Sequence, residues 1–164
     1  MSDPSGSSSH ESVEIRLIGL PVAVYLQAQQ HNEELLRELQ LVAQSLDEDP
    51  AKADQLPVRL VRLVSELRDS YGSQVADAES RIDVAADVGE EQIDEVVFRV
   101  PRHAGDAASH LAELLDEADS YCALGRYLVT LVTPPELRRF RHWYLGEFAR
   151  QAAGKPPIAW DDTP

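Results

Sequence analysis

Few residues in this chain could do chemistry: five histidines, a single cysteine and one arginine cluster. His31 stands with Glu34 and Glu38 at i, i+3 and i+7, which on a helix sets two carboxylates on the side of one imidazole. An imidazole on a long bundle helix, with a carboxylate to orient it or help move its proton, is what histidine phosphotransfer requires, so His31 is a candidate phosphoacceptor. The competing reading is a structural histidine, because Ala28, Leu35 and Val42 share that side. His103, Asp106, His110 and Glu113 line one helical edge, but dimetal bundles draw E-x-x-H from two helices, and the chain has no E-x-x-H. An EF-hand over Asp83 to Glu95 fails because Gly89 is out of register. No metal and no cofactor are therefore expected. Cys122 has no local histidine, no G-x-S-x-G turn occurs, and the glycines sit singly, so neither an activated nucleophile nor a phosphate-cradling loop is expected. Cys122 reads as a small core residue.

The remaining chemistry is recognition. Arg138, Arg139, Arg141 and His142 adjoin Trp143 and Tyr144, the residue types that dominate protein-binding hot spots. Arg138, Arg141, His142, Trp143 and the distant Trp160 are the candidate partner-binding residues, and ion pairing within the chain is the alternative use of the arginines. Charge is uneven. Asp77 to Glu95 holds eight acids against Arg81, whereas Arg126 to Gly154 holds five arginines against Glu136 and Glu147. The net charge of −14 repels phosphate backbones and anionic membranes, so neither nucleic acid nor membrane is expected as a partner.

These residues need a scaffold, and hydrophobic period supplies one. Val13, Ile15 and Leu17 alternate as a strand over 13 to 18 that Gly19 ends, and Val96, Phe98 and Val100 alternate over 95 to 100. A lone strand cannot satisfy its backbone, so the two should pair as a ribbon. Helical stripes predict helices over 21 to 46, 57 to 71, 102 to 123 and 134 to 153, with a smaller one over 74 to 88. Gly72, Gly89, Gly125 and Gly154 are the expected stops, and Thr133 with Glu136 has capping-box spacing. Arg126 to Val132 suits a strand or a helical turn equally. The string H-x-x-E-L-L-x-E occurs at His31 to Glu38 and again at His110 to Glu117, each time after a strand pattern and a proline. A duplication would make the chain two strand–helix–helix halves about a pseudo-twofold axis.

The fold class is thus mainly α: a four-helix bundle of two such halves with a two-stranded β ribbon. At 164 residues one domain suffices. Residues 1 to 12 read as a disordered tail without signal-peptide character, 13 to 154 as the helical domain, and 155 to 164 as a Pro/Trp tail whose Trp160 folds back or meets a partner. A single cysteine fits a reducing, cytoplasmic setting.

Gly19-Leu20-Pro21, the His31 to Glu38 run, Glu117-Ala118-Asp119 with Tyr121-Cys122, Pro134-Pro135, Trp143-Tyr144-Leu145 with Glu147-Phe148, and Pro156-Pro157 with Trp160 also form a pattern. Over residues 13 to 160 it resembles a family of small acidic helical proteins of high-GC bacteria, often encoded beside ATP-binding anti-sigma-factor kinases. The resemblance implies a signalling role with a protein partner of that kind and confers no activity. The expected function is a non-enzymatic regulatory or adaptor protein in sigma-factor partner switching, able to form a homodimer. The alternative is phosphotransfer at His31.

Overall fold

Helical and alternating periods divide the chain into β1 (Ser12–Pro21), α1 (Val22–Leu46), α2 (Leu56–Asp87), β2 (Gln92–Pro101), α3 (Ala104–Ala123) and α4 (Pro135–Ala152). The computed structural model describes residues 11–46, 51, 55–124 and 132–161. Most of the expected tail, and all but Val132 of the segment read as strand or turn, lie outside the described residues.

The ribbon forms as expected and is longer than the alternation alone indicates. β1 and β2 pair antiparallel with Ile15 opposite Phe98, Leu17 opposite Val96 and Arg16 opposite Val97. Ile15, Leu17, Val96, Phe98 and Val100 are buried, while Glu14, Arg16, Glu95, Val97 and Arg99 face out. Gly19 does not end β1. Its φ of +71° bends the strand, which continues to Pro21, and its carbonyl accepts from Gln92 Nε2 at 2.9 Å.

Gly72 does not end a helix either. The two helices expected over 57 to 71 and 74 to 88 are one, α2, of 32 residues. Leu60, Val64, Leu67, Tyr71, Val75, Ala78, Ile82 and Ala85 keep 3 and 4 spacing straight through the glycine. A helical glycine costs only about 1 kcal/mol, which burial of Ile82 and Ala85 offsets. Gly89 and Gly154, at φ +77° and +82°, do follow helix ends.

The arrangement is that of two halves. α1 packs on α2 and α3 on α4, while α2 packs on β2 and α4 on β1, so each half's second helix covers the other half's strand. One core lies beneath the ribbon, where Tyr25, Phe98, Phe140, Tyr144 and Phe148 join Ile15, Leu17 and Ile82. A second lies between α1, α2 and α3, built from Leu35, Leu39, Leu60, Leu114, Leu115 and Cys122. Among the described residues no helix is long and apolar enough to cross a membrane.

Candidate functional site

α3 and α4 lie side by side, and each presents charge at i, i+3 spacing: Asp116 and Asp119 on α3, Arg138 and Arg141 on α4. Spacing of three puts both members on one helix face, so the two acidic side chains meet the two basic ones. Arg141 Nη2 donates to Asp116 at 2.5 Å and to Asp119 at 2.6 Å. Arg141 is only 5% exposed and Asp119 only 1%. Arg138 Nε reaches Asp119 at 3.4 Å from the surface side, and His142 Nε2 lies 2.9 Å from Asp116.

The network continues into α1. Thr133 donates its hydroxyl proton to Asp119 at 2.5 Å, and His31 Nε2 lies 3.0 Å from the same hydroxyl oxygen. Because that proton is already committed to a carboxylate, Thr133 can only accept from His31, which assigns the proton to Nε2. The chain therefore runs from imidazole through hydroxyl to carboxylate and ends on a guanidinium. This polarity is opposite to a nucleophile triad, in which the hydroxyl would donate to the imidazole. Thr133 is buried and its partner Asp119 is saturated by cations, so the hydroxyl is held rather than activated. The capping role expected of Thr133 is absent: α4 has Pro134 at its N-cap without a side-chain cap.

Electrostatics follow from burial and pairing. Burial alone would raise the Asp116 carboxyl, but the hydrogen bonds from His142 and Arg141, reinforced by their charges, hold it below its ordinary value. His31 is lowered, chiefly by burial and further by Arg141, against the opposing pull of Asp119 and Glu34. Burial raises the Cys122 thiol, and Asp119 and Glu38 add to the shift, so the thiolate is disfavoured.

The structure joins two groups of residues that the sequence presented separately, His31 and the arginines, and the link is made by Asp116, Asp119 and Thr133. Matching i, i+3 spacing of acids and bases on successive helices is the signal that could have found the carboxylates. Other expected neighbours are not brought together. Glu34 accepts from Gln30, and neither Glu34 nor Glu38 hydrogen-bonds to His31 among the described residues. Glu38 Oε2 is buried without a partner among them. His103 packs its ring on Tyr71 at 5.8 Å, while His110 faces Glu113 at 3.9 Å.

Of the five candidate contact residues, Arg141 and Trp160 lie inside. Trp160, 8% exposed, meets Phe140 and Trp143 at 5.6 and 5.4 Å, and its backbone N–H donates to the Ile18 carbonyl. Buried Glu147, which sequence reasoning missed, fastens the same tail by accepting from the Ile158 N–H at 2.8 Å. Trp143 is half-buried and donates to the Ile158 carbonyl, which leaves Arg138 and His142 as the exposed members.

Beside the network is a cavity of about 240 Å³ lined by all four helices, whose polar lining is Tyr25, Gln29, Asn32, Glu79, Arg141 and Tyr144. Burial, then Glu79, pushes the Tyr25 phenol up to about 12, and burial carries Tyr144 well above its ordinary value. Glu79 is itself raised by burial and by Asp83, against Arg68. Both phenols thus stay protonated at neutral pH, and among the described residues no nucleophile is hydrogen-bonded to a base there. No family model matches this chain, and neither a curated protein nor a solved structure matches it.

Proposed function

We propose that this chain is a non-enzymatic regulatory or adaptor protein that binds another protein through the outer face of α4. The supporting observation is the way that face is held. Arg138 and His142, each about half exposed, are tethered to Asp119 and Asp116, and those carboxylates are anchored in turn by buried Arg141. Holding the side chains in one geometry before binding lowers the entropy lost on association, which is the property of a recognition surface. Trp143, locked by its bond to Ile158, supplies an aromatic edge beside them. The charges of Arg138 and Arg141 are balanced by Asp116 and Asp119, so this face offers ordered N–H donors beside an aromatic edge and suits a partner that presents hydrogen-bond acceptors.

The partner class comes from the resemblance of residues 13 to 160: an anti-sigma-factor kinase or its antagonist, met in the cytoplasm during partner switching. A pull-down from native extract would compare the intact chain with a variant carrying Arg138→Glu, His142→Glu and Trp143→Ala, after circular dichroism shows both folded. Recovery of such a kinase or antagonist by the intact chain and its loss in the variant is the expected result. Equal recovery by both proteins would remove the α4 face from consideration, and recovery of a response-regulator-type partner instead would move the reading to phosphotransfer at His31.

A further inference from the structure

The two edges of the ribbon are treated unequally. On β1, the Gln151 side chain closes both backbone groups of Arg16, accepting from its N–H at 2.9 Å and donating to its C=O at 2.8 Å. The Ile18 carbonyl is closed by the Trp160 N–H at 2.9 Å. These bonds show that Arg16 directs its backbone away from β2. Its register partner Val97 therefore directs its own N–H and C=O away from β1, and alternation extends this to Glu95 and Arg99, opposite Ile18 and Glu14. Among the described residues nothing hydrogen-bonds to the outward backbone of these three. Such an edge is a template for another strand.

We propose that β2 pairs antiparallel with β2 of a second copy, about a twofold axis through Val97, so that two ribbons join as a four-stranded sheet. The side chains select both occupant and register. This axis sets Val97 opposite its own copy and Glu95 opposite the copy's Arg99, in both directions. Each of these three pairs exchanges both backbone hydrogen bonds. Neighbouring axes do worse. Through Glu95 or Arg99 they oppose like charges, through Val96 they set both charges against apolar residues, and through Phe98 they bring Pro101, which lacks an N–H, opposite Glu95.

The charges already present on the ribbon extend the match. Arg99 pairs with Glu14 at 3.2 Å and Glu95 lies 4.0 Å from Arg16, so the joined sheet carries acid, base, acid and base across its exposed face. Val97, at 37% exposed, is the apolar residue in this charged row, and pairing covers it. Charged edges ordinarily discourage strand addition, whereas here they permit one register of one partner. The contact is independent of the α4 face.

Sedimentation velocity of the full chain over a concentration series tests this. The wild type should dimerise reversibly. Val97→Pro removes an N–H that the β1–β2 ladder does not use, and loss of that donor from both copies should weaken dimerisation roughly 10- to 100-fold with the circular dichroism unchanged. Arg99→Glu and Glu95→Arg should each weaken it about tenfold, and an equimolar mixture of the two variants, which sets an acidic edge against a basic one without further change inside either ribbon, should restore it. A wild type that stays monomeric at the highest concentration overturns the proposal, as does a dimer indifferent to Val97→Pro. If Val97→Pro unfolds, the charge-swap series decides: absence of rescue when the two single variants are mixed rejects the register.

Discussion

Arg141 is the residue on which the α3–α4 contact turns. Its guanidinium joins one carboxylate at the surface to another that is 1% exposed, and its Nε and Nη1 are closed off without partners among the described residues. Removing one member of such a pair strands the other charge, which costs about 3–5 kcal/mol, while removing both is far milder. Asp119 keeps Arg138 and the Thr133 hydroxyl, so Arg141→Met alone should lower the urea-unfolding free energy by about 1–3 kcal/mol, and adding Asp119→Leu should recover only part of the loss because it leaves the buried Thr133 hydroxyl without its acceptor. His31 supplies the second test at this scale. Its folded pKa lies below its ordinary value, chiefly through burial, so the unfolded chain takes up the proton first as pH falls. The stability it contributes is present above the ordinary histidine value and is lost as pH falls from there toward the folded pKa. Denaturation midpoints measured through that window should decline in the wild type, and His31→Gln should flatten the decline.

Helices in this fold are separated by what their glycines allow. Gly105, in the first turn of α3, would place a Cβ 2.6 Å from the Ala152 Cβ and 3.3 Å from the Phe148 carbonyl, so its lack of a side chain is what lets α3 approach α4. Gly72, mid-way along α2, would meet nothing within 4 Å. The same substitution should consequently have opposite signs: Gly72→Ala should stabilise by about 0.5–1 kcal/mol and Gly105→Ala should destabilise by about 1–3 kcal/mol. Thermal melts of the two variants beside the wild type would check this, and destabilisation by Gly72→Ala would contradict an unbroken α2. The glycines also mark a limit of reading helix ends from single residues rather than from the stripe around them. Gly72 and Gly89 look alike in the chain, yet the apolar stripe continues through the first and stops before the second.

For the whole molecule, the ribbon is where the two halves meet and where, among the described residues, one edge is left unpaired. α4 and the tail to Trp160 close β1, and the pseudo-twofold plan would put a matching closure on β2. α2 supplies none among the described residues, and this departure from symmetry is what a second copy would complete. Much of the plan was determined by the sequence itself. Period-2 and period-3.6 patterns specify two strands and long amphipathic helices, and an unpaired strand requires a partner, so the ribbon and bundle were readable from local chemistry. Side-chain type likewise placed Cys122 in the core. Tertiary structure alone decided the rest, because burial and pairing depend on which faces meet. Only the α3–α4 contact drew Arg141 inside to Asp119, carried Thr133 away from its cap and joined His31 to the arginines. Only the folded tail buried Trp160, and only the register of β1 with β2 turned the Val97 backbone outward.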